Sequence, residues 1–297
     1  WAFDVAWPLF LGLGESPLAL WWPPEPRWFA LPLALVGAFW LLLPRGVPGK
    51  WLALLLWLPL LLPDRRLPAH GEADIEVIDV GQGLSVLVRT SRHALLYDMG
   101  PAGEEGCDAG ERAVVPVLRA RGVRRLDRAV VSHGDNDHAG GWEAVRDVMP
   151  PDALDAPPDA PVAGADPCRA GDGWQWDGVR FAYLHPAEHF PYLRNESSCV
   201  LRIDTAHGSA LLTGDIGEVI EQRLLARVPA QLRADVVLVA HHGSGGSSSP
   251  EWVAATQARV AIVSSGVGNR FGHPRADVIE RWRRVGAQVH DTAADGA

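Results

Sequence analysis

From residue 73 onward the apolar positions follow two alternating rhythms. In Asp74-Ile75-Glu76-Val77-Ile78-Asp79-Val80, apolar and polar residues take turns with period two, which predicts a half-buried strand. Short, largely apolar runs at 85–89, 94–98, 126–131, 179–184, 199–204, 209–213, 235–240, 260–264 and 288–290 predict further strands. Between them, 111–121, 142–148, 218–226 and 275–285 carry apolar residues at helical spacing. Residues 150–172, rich in Pro, Asp and Ala, read as a long surface loop. Strands interleaved with helices predict an α/β domain, either two layers of sheet covered by helices or one doubly wound sheet.

The first 63 residues have a different texture. They hold eight of the thirteen tryptophans but only six charged residues, so water-facing surface is scarce there. Runs 28–43 and 51–62 are almost wholly apolar, with Pro44-Arg45-Gly46-Val47-Pro48-Gly49-Lys50 as a tight turn between them. A spanning helix needs ~20 apolar residues, so the first run is a marginal span and the second is short. Tryptophans near the ends of both runs suit a membrane–water interface, and two buried helices are the plainer alternative. Residues 1–63 do not read as a charged n-region with a small-residue cleavage site, so a cleaved signal peptide is not expected, and the absence of an initial Met reads as the C-terminal portion of a longer protein. Arg45 and Lys50 favour the cytoplasmic side for the turn, which would leave everything after residue 64 outside.

Net charge is −9, and beyond residue 70 the chain has 22 basic against 32 acidic residues, which argues against a protein that coats nucleic acid. The arginine run Arg119, Arg121, Arg124, Arg125 and Arg128 is either a local positive patch for DNA or a solvated helix end. Cys107, Cys168 and Cys199 lack the spacing of a structural zinc knuckle. Cys168 and Cys199 are a candidate pair across the long loop, in keeping with an oxidising compartment.

The chemistry gathers at Ser132-His133-Gly134-Asp135-Asn136-Asp137-His138-Ala139-Gly140-Gly141, directly behind a strand. Two histidines and two carboxylates within six residues form a ligand set that a divalent cation would neutralise. A polar turn built on Asp and Asn is the plainer reading. Two later strands, however, also end in ligand-type residues, at Thr213-Gly214-Asp215 and at His241-His242. Strand ends along one sheet edge are where α/β enzymes assemble a site.

His133-x-Asp135-x-Asp137-His138, Thr213-Gly214-Asp215 and His242 resemble the metallo-β-lactamase superfamily and its His-x-His-x-Asp-His signature. Four further stretches extend the match: Asp79-Val80-Gly81-Gln82-Gly83, Tyr97-Asp98-Met99-Gly100, His241-His242-Gly243-Ser244 and Asn269-Arg270-Phe271-Gly272-His273-Pro274. With them, residues 74–290 are similar to the C-terminal domain of ComEC-type competence proteins, the membrane channel for DNA uptake in transformation. The resemblance implies an α/β fold, a metallo-β-lactamase-like αβ/βα sandwich with metals at its edge, over 73–297. A linker at 64–72 and the end of a membrane competence domain at 1–63 would precede it. The implied activity is a metal-dependent nuclease that degrades the non-transported DNA strand. Alternatives are a catalytically inactive DNA-guiding module, or a metallohydrolase on another ester or amide. DNA (single-stranded or duplex), the inner membrane and other competence proteins are the implied partners, with no nucleotide cofactor. The domain would lie on the extracytoplasmic side.

Two departures bear on the chemistry. Asp135 stands where the superfamily signature has its second histidine, and Asn195-Glu196-Ser197-Ser198-Cys199 stand where many members place another. The pocket is therefore rich in oxygen, which favours Mn²⁺, with Zn²⁺ possible. Two divalent ions are expected: one held by His133, Asp135 and Asp215, the other by Asp137, His138, Asp215 and His242, with Asp215 bridging. Asp98 is expected to orient a ligand histidine. Asp137 is also placed in the catalytic set, with His241, Asn269, Arg270 and His273 as candidates for gripping phosphate or protonating the leaving oxygen.

Overall fold

The computed structural model describes residues 2–14, 22–44, 46–103 and 108–296. The chain forms two compact units, one of residues 1–66 with 118–123 and the other of 67–117 with 124–297.

In the first unit, the apolar run 28–43 folds as the helix Ala30–Leu42, and 51–62 as the 3₁₀ stretch Lys50–Trp57 continued by Leu58–Leu61. Ala30, Ala34 and Gly37 make a buried face of small residues along the helix. A Cβ on Gly37 would lie 2.7 Å from the Ala53 carbonyl oxygen, so only glycine permits this approach. Thirteen residues at the helical rise give about 20 Å, well short of a ~30 Å hydrocarbon core. Among the described residues, no helix is long and apolar enough to cross a membrane.

The second unit contains two sheets. In the first, β1 (Asp74–Val77), β2 (Val86–Arg89), β3 (Ala94–Tyr97), β4 (Arg128–Val130), β5 (Leu154–Ala156) and β6 (Asp166–Pro167) lie side by side in chain order. The pairs β1–β2 and β2–β3 are antiparallel, and the rest are parallel. The second sheet holds β7 (Gly173–Trp176), β8 (Val179–His185), β9 (Val200–Asp204), β10 (Ser209–Leu212), β11 (Val236–Leu238), β12 (Val260–Val263) and β13 (Gln288–Asp291), again in chain order. It is antiparallel from β7 to β10 and parallel from β10 to β13.

Period-two alternation sorts the side chains between two cores. Val86, Val88, Leu95 and Tyr97 of the first sheet meet Leu201, Ile203, Ala210, Leu212 and Leu238 of the second in one buried cluster. The neighbours Val200, Leu211, Val237 and Val239 turn the other way. They pack with Ile220 and Leu224 of helix Glu218–Arg227, Trp252 and Val253 of Pro250–Thr256, and Val278 and Trp282 of Ala276–Arg284. Of the two layouts compatible with the sequence, the two-sheet one is correct.

Residues 150–172 are not one surface loop: β5 and β6 lie there, and so does Cys168, which is disulfide-bonded to Cys199 just ahead of β9. At the base of the sandwich, the buried Asp177 carboxylate accepts hydrogen bonds from Thr90 Oγ1 (2.7 Å), Arg92 N and Arg92 Nε (both 2.8 Å). That arrangement clamps the β7–β8 turn onto the β2–β3 turn.

Candidate metal centre

Parallel strands carry their chain ends to the same edge, and the ligand-type residues meet there. The loop after β4 delivers 132–138, the turn after β10 delivers Asp215, and the turn after β11 delivers His241 and His242. Asp137, His138, Asp215 and His242 each offer one ligand atom, and those atoms all lie within 4.8 Å of one another. His138 Nε2 is 3.2 Å from His242 Nε2 and 3.2 Å from Asp215 Oδ1. His242 Nε2 is 3.4 Å from Asp137 Oδ2 and 3.5 Å from Asp215 Oδ2.

The far ring nitrogens fix which way each imidazole faces. His242 Nδ1 donates to the Ser264 carbonyl (2.8 Å), and His138 Nδ1 to Asp98 Oδ2 (2.7 Å). Asp98 also accepts from Ser132 N (2.6 Å) and Ser132 Oγ (2.7 Å), so it ties the strand end to the ligand loop. With Nδ1 donating, Nε2 of both rings turns its lone pair to the cluster, as a metal ligand requires. His133 is fully buried, its Nδ1 lies 3.1 Å from Ser132 Oγ, and its Nε2 has no hydrogen-bond partner. An orphaned, buried imidazole nitrogen 3.9 Å from the Asp135 carboxylate fits a cation.

The charges agree with that fit. Burial opposes charge on His138, yet Asp215 and Asp98 overcome it and hold its pKa well above the usual imidazole value. His242 is likewise raised against burial, by Asp215 and Asp137. Asp215, despite burial, is held well below the usual carboxylate range by His138 and His242. His133 is pushed down to about 4 by burial and by the charge on His138. The carboxylates thus favour positive charge at His138 and His242, as they would favour a cation beside them.

The remaining expected residues are dispersed around this cluster. Asp135 Oδ2 is 3.9 Å from His133 Nε2, but both carboxylate oxygens accept from Arg194 at 2.9 Å. His241 Nε2 is 3.8 Å from Asp215 Oδ2 and 3.3 Å from Asn195 Nδ2. His273 stacks on Phe271, and its ring lies 6.0 Å from that of His241. The Asn269 amide closes its own loop, donating to the carbonyls of Gly266 and His273 and accepting from His273 N. Arg270 is exposed, with its guanidinium over the Phe271 ring. Four arginines of the run are engaged, and Arg124 is exposed. Arg125 pairs with Asp127 and Asp152, Arg128 pairs with Asp155, Arg121 pairs with Glu25, and Arg119 stacks over Trp22.

Sequence reasoning missed the supports. Gly83 lies so close to the ligand loop that a Cβ there would sit 2.6 Å from the Asp137 carbonyl oxygen. Ser198 Oγ, in the stretch that replaces a superfamily histidine, accepts from Asp215 N (3.0 Å) and lies 3.4 Å from His133 Nδ1. Tyr192 OH accepts from Gly134 N (2.9 Å). The stretch 192–198 therefore braces the ligand loop and Asp215 at once.

Comparison with known proteins agrees with the geometry. The family model described as the metallo-beta-lactamase superfamily matches residues 78–267. A Neisseria gonorrhoeae protein named Competence protein ComA is 39% identical over 297 residues, which cover 100% of this chain and 40% of that protein. Recombination protein 2 of Haemophilus influenzae is 35% identical over 225 residues, covering 75% of this chain and 28% of its own length. The chain thus spans well under half the length of these curated relatives. Among solved structures, CmlA, a diiron beta-hydroxylase from Streptomyces venezuelae, shares the fold with a TM-score of 0.51 at 14% identity, covering 73% of this chain and 52% of that one.

Proposed function

We propose that this chain, which belongs to the metallo-β-lactamase superfamily in its ComEC-type competence branch, is a divalent-metal phosphodiesterase that cleaves DNA during uptake. The observation that carries the reading is the convergence of Asp137, His138, Asp215 and His242, with His133 Nε2 unpartnered beside them. Relatives named for competence and recombination support DNA as the substrate class. Degradation of the non-transported strand is the role proposed in that context. The Cys168–Cys199 disulfide supports placing the domain on the extracytoplasmic side of the inner membrane, beside a channel and other competence proteins.

Asp137, His138, Asp215 and His242 would hold one ion, and His133, Asp135 and Asp215 a second. Divalent cations bound there supply an acidified water and neutralise charge on the phosphoryl oxygens. The carboxylates among the ligands favour Mn²⁺ over Zn²⁺. The chain's own groups do the rest. Asp98 and the Ser264 carbonyl keep His138 and His242 aimed at the cluster. His241, half-buried at the mouth beside Asp215 and Asn195, is placed to hand a proton to the leaving oxygen. His273 flanks His241, and Arg270 stands on the exposed rim as a phosphate contact.

One observation favours the DNA-guiding alternative: Asp135 is engaged by Arg194, which leaves the second ion position short of a ligand. The test is degradation of labelled single- and double-stranded DNA by the purified chain, stripped with chelator and resupplied with Mn²⁺ or Zn²⁺. Mn²⁺-dependent cleavage supports the hydrolase. DNA binding without cleavage under any cation supports the guide.

A further inference from the structure

We propose that Arg194 is a substrate-binding residue held by Asp135: its guanidinium passes to a substrate phosphate when Asp135 turns to a cation beside His133. The substrate half rests on the phosphodiesterase reading above. The exchange at Asp135 does not.

Competition for one atom is the starting point. Asp135 Oδ2 is the oxygen that faces His133 Nε2, at 3.9 Å, and it is also the oxygen held by Arg194 Nη2 at 2.9 Å. Ligand bonds of about 2.1 Å place neighbouring ligand atoms roughly 3.4 Å apart in a tetrahedral site and roughly 3.0 Å apart in an octahedral one. Asp135 therefore has to close on His133 by about 0.5–0.9 Å to share a cation with it, and that movement draws it from the guanidinium. The cation also cancels the negative charge that attracts Arg194.

Arg194 can leave at low cost. Its side chain is 73% exposed against 20% for Asp135, so water solvates the guanidinium as soon as the pair opens. Exposed ion pairs contribute little to stability. The backbone beneath it, in contrast, is fixed. Arg194 has φ +55°, a left-handed conformation that costs a non-glycine residue energy and persists only where neighbours impose it. Here they do: Leu193 N donates to Ser197 Oγ (2.6 Å), Ser198 Oγ donates to the Asn195 carbonyl (2.7 Å), and Tyr192 OH accepts from Gly134 N (2.9 Å). A strained, braced backbone thus carries a solvated side chain to the lip of the cluster.

The fork of a guanidinium matches the paired oxygens of a phosphodiester as it matches those of a carboxylate. Once Asp135 has turned inward, a phosphate at the cluster is the anion that replaces it.

Arg194→Gln and Arg194→Lys test the exchange with two independent readouts. The first is calorimetric titration of stripped protein with Mn²⁺ alone. Arg194→Gln should bind the weaker equivalent roughly fivefold tighter, because the competitor for Asp135 is gone. The second is hydrolysis of bis(4-nitrophenyl) phosphate and of a single-stranded oligodeoxynucleotide. Arg194→Gln should raise KM about tenfold with kcat little changed, and Arg194→Lys should recover part of that loss by charge without the fork. An unchanged or weaker second equivalent in Arg194→Gln overturns the exchange, and an unchanged KM overturns the substrate role. If the wild-type chain hydrolyses no phosphodiester, the substrate half falls together with the phosphodiesterase reading, while the calorimetry still decides the exchange.

Discussion

Replacing Asp98 by Asn isolates the hydrogen bond that aims His138. Asp98 is fully buried and accepts from Ser132 N, Ser132 Oγ and His138 Nδ1 at 2.6, 2.7 and 2.7 Å. Asn has the same shape and keeps one acceptor oxygen, so the bond that ties the strand end to Ser132 N survives. Its amide nitrogen only donates, however. Beside His138 Nδ1 it selects the tautomer with the proton on Nε2, the atom 3.2 Å from both Asp215 and His242. An imidazole in that tautomer has no lone pair on Nε2 to offer a cation. Losing such an orienting partner weakens metal affinity about 10- to 100-fold, or roughly 1.4–2.8 kcal/mol. The assay is calorimetric titration of chelator-stripped protein with Mn²⁺, with thermal melting to show that the variant folds. A folded Asp98→Asn protein with wild-type affinity would refute the view that Asp98 sets the state of His138.

Three further outcomes test the scaffold. His185 is buried, donates Nε2 to the Glu196 carbonyl at 2.8 Å, and has a pKa lowered to about 4 by burial and by Arg223 and Arg227. The unfolded chain therefore takes up this proton first, near pH 6.5, so stability contributed by neutral His185 is full above that pH. It is lost between about 6.5 and 4, by up to about 3 kcal/mol, and denaturant titrations of His185→Gln should lack that component. Reducing Cys168–Cys199, 31 residues apart, should cost about 3–4 kcal/mol in the chain-entropy account, read as a shift in urea midpoint between oxidised and reduced protein. Asp177→Asn should destabilise by about 2–3 kcal/mol through lost hydrogen bonds to a charged acceptor, while leaving Mn²⁺ affinity unchanged. Since Thr90 and Arg92 hold the Asp177 carboxyl far below its usual range against burial, that contribution is present at neutral pH and fades only in strong acid.

How the sequence encoded this molecule differs from region to region. The strands were legible because one-sided burial imposes period two: Leu201 and Ile203 face one core while Val200 faces the other. The ligand loop was legible because few other demands place two imidazoles and two carboxylates in six residues. Asp98 was readable as an orienting group from its place after a strand. In contrast, β5 and β6 were hidden because strands of three and two residues, held by parallel neighbours, carry too little pattern of their own. The bounds of the helix within the apolar run 28–43 were not legible, because composition says nothing of where a helix stops; Ala30–Leu42 spans 13 residues. Arg194 and Tyr192 were invisible because their roles depend on partners some 60 positions away, 59 residues for Arg194 and 58 for Tyr192.

The most direct measurement compares wild-type and Asp137→Asn protein, stripped and then supplied with Mn²⁺, for metal content and for cleavage of single-stranded DNA. Asp137 Oδ2 lies 3.4 Å from His242 Nε2, in the group of four that converge. The account predicts that the wild type binds Mn²⁺ and cleaves, while the folded variant loses bound metal and cleavage together. Cleavage by Asp137→Asn at the wild-type rate, or by wild type in excess chelator, would contradict it.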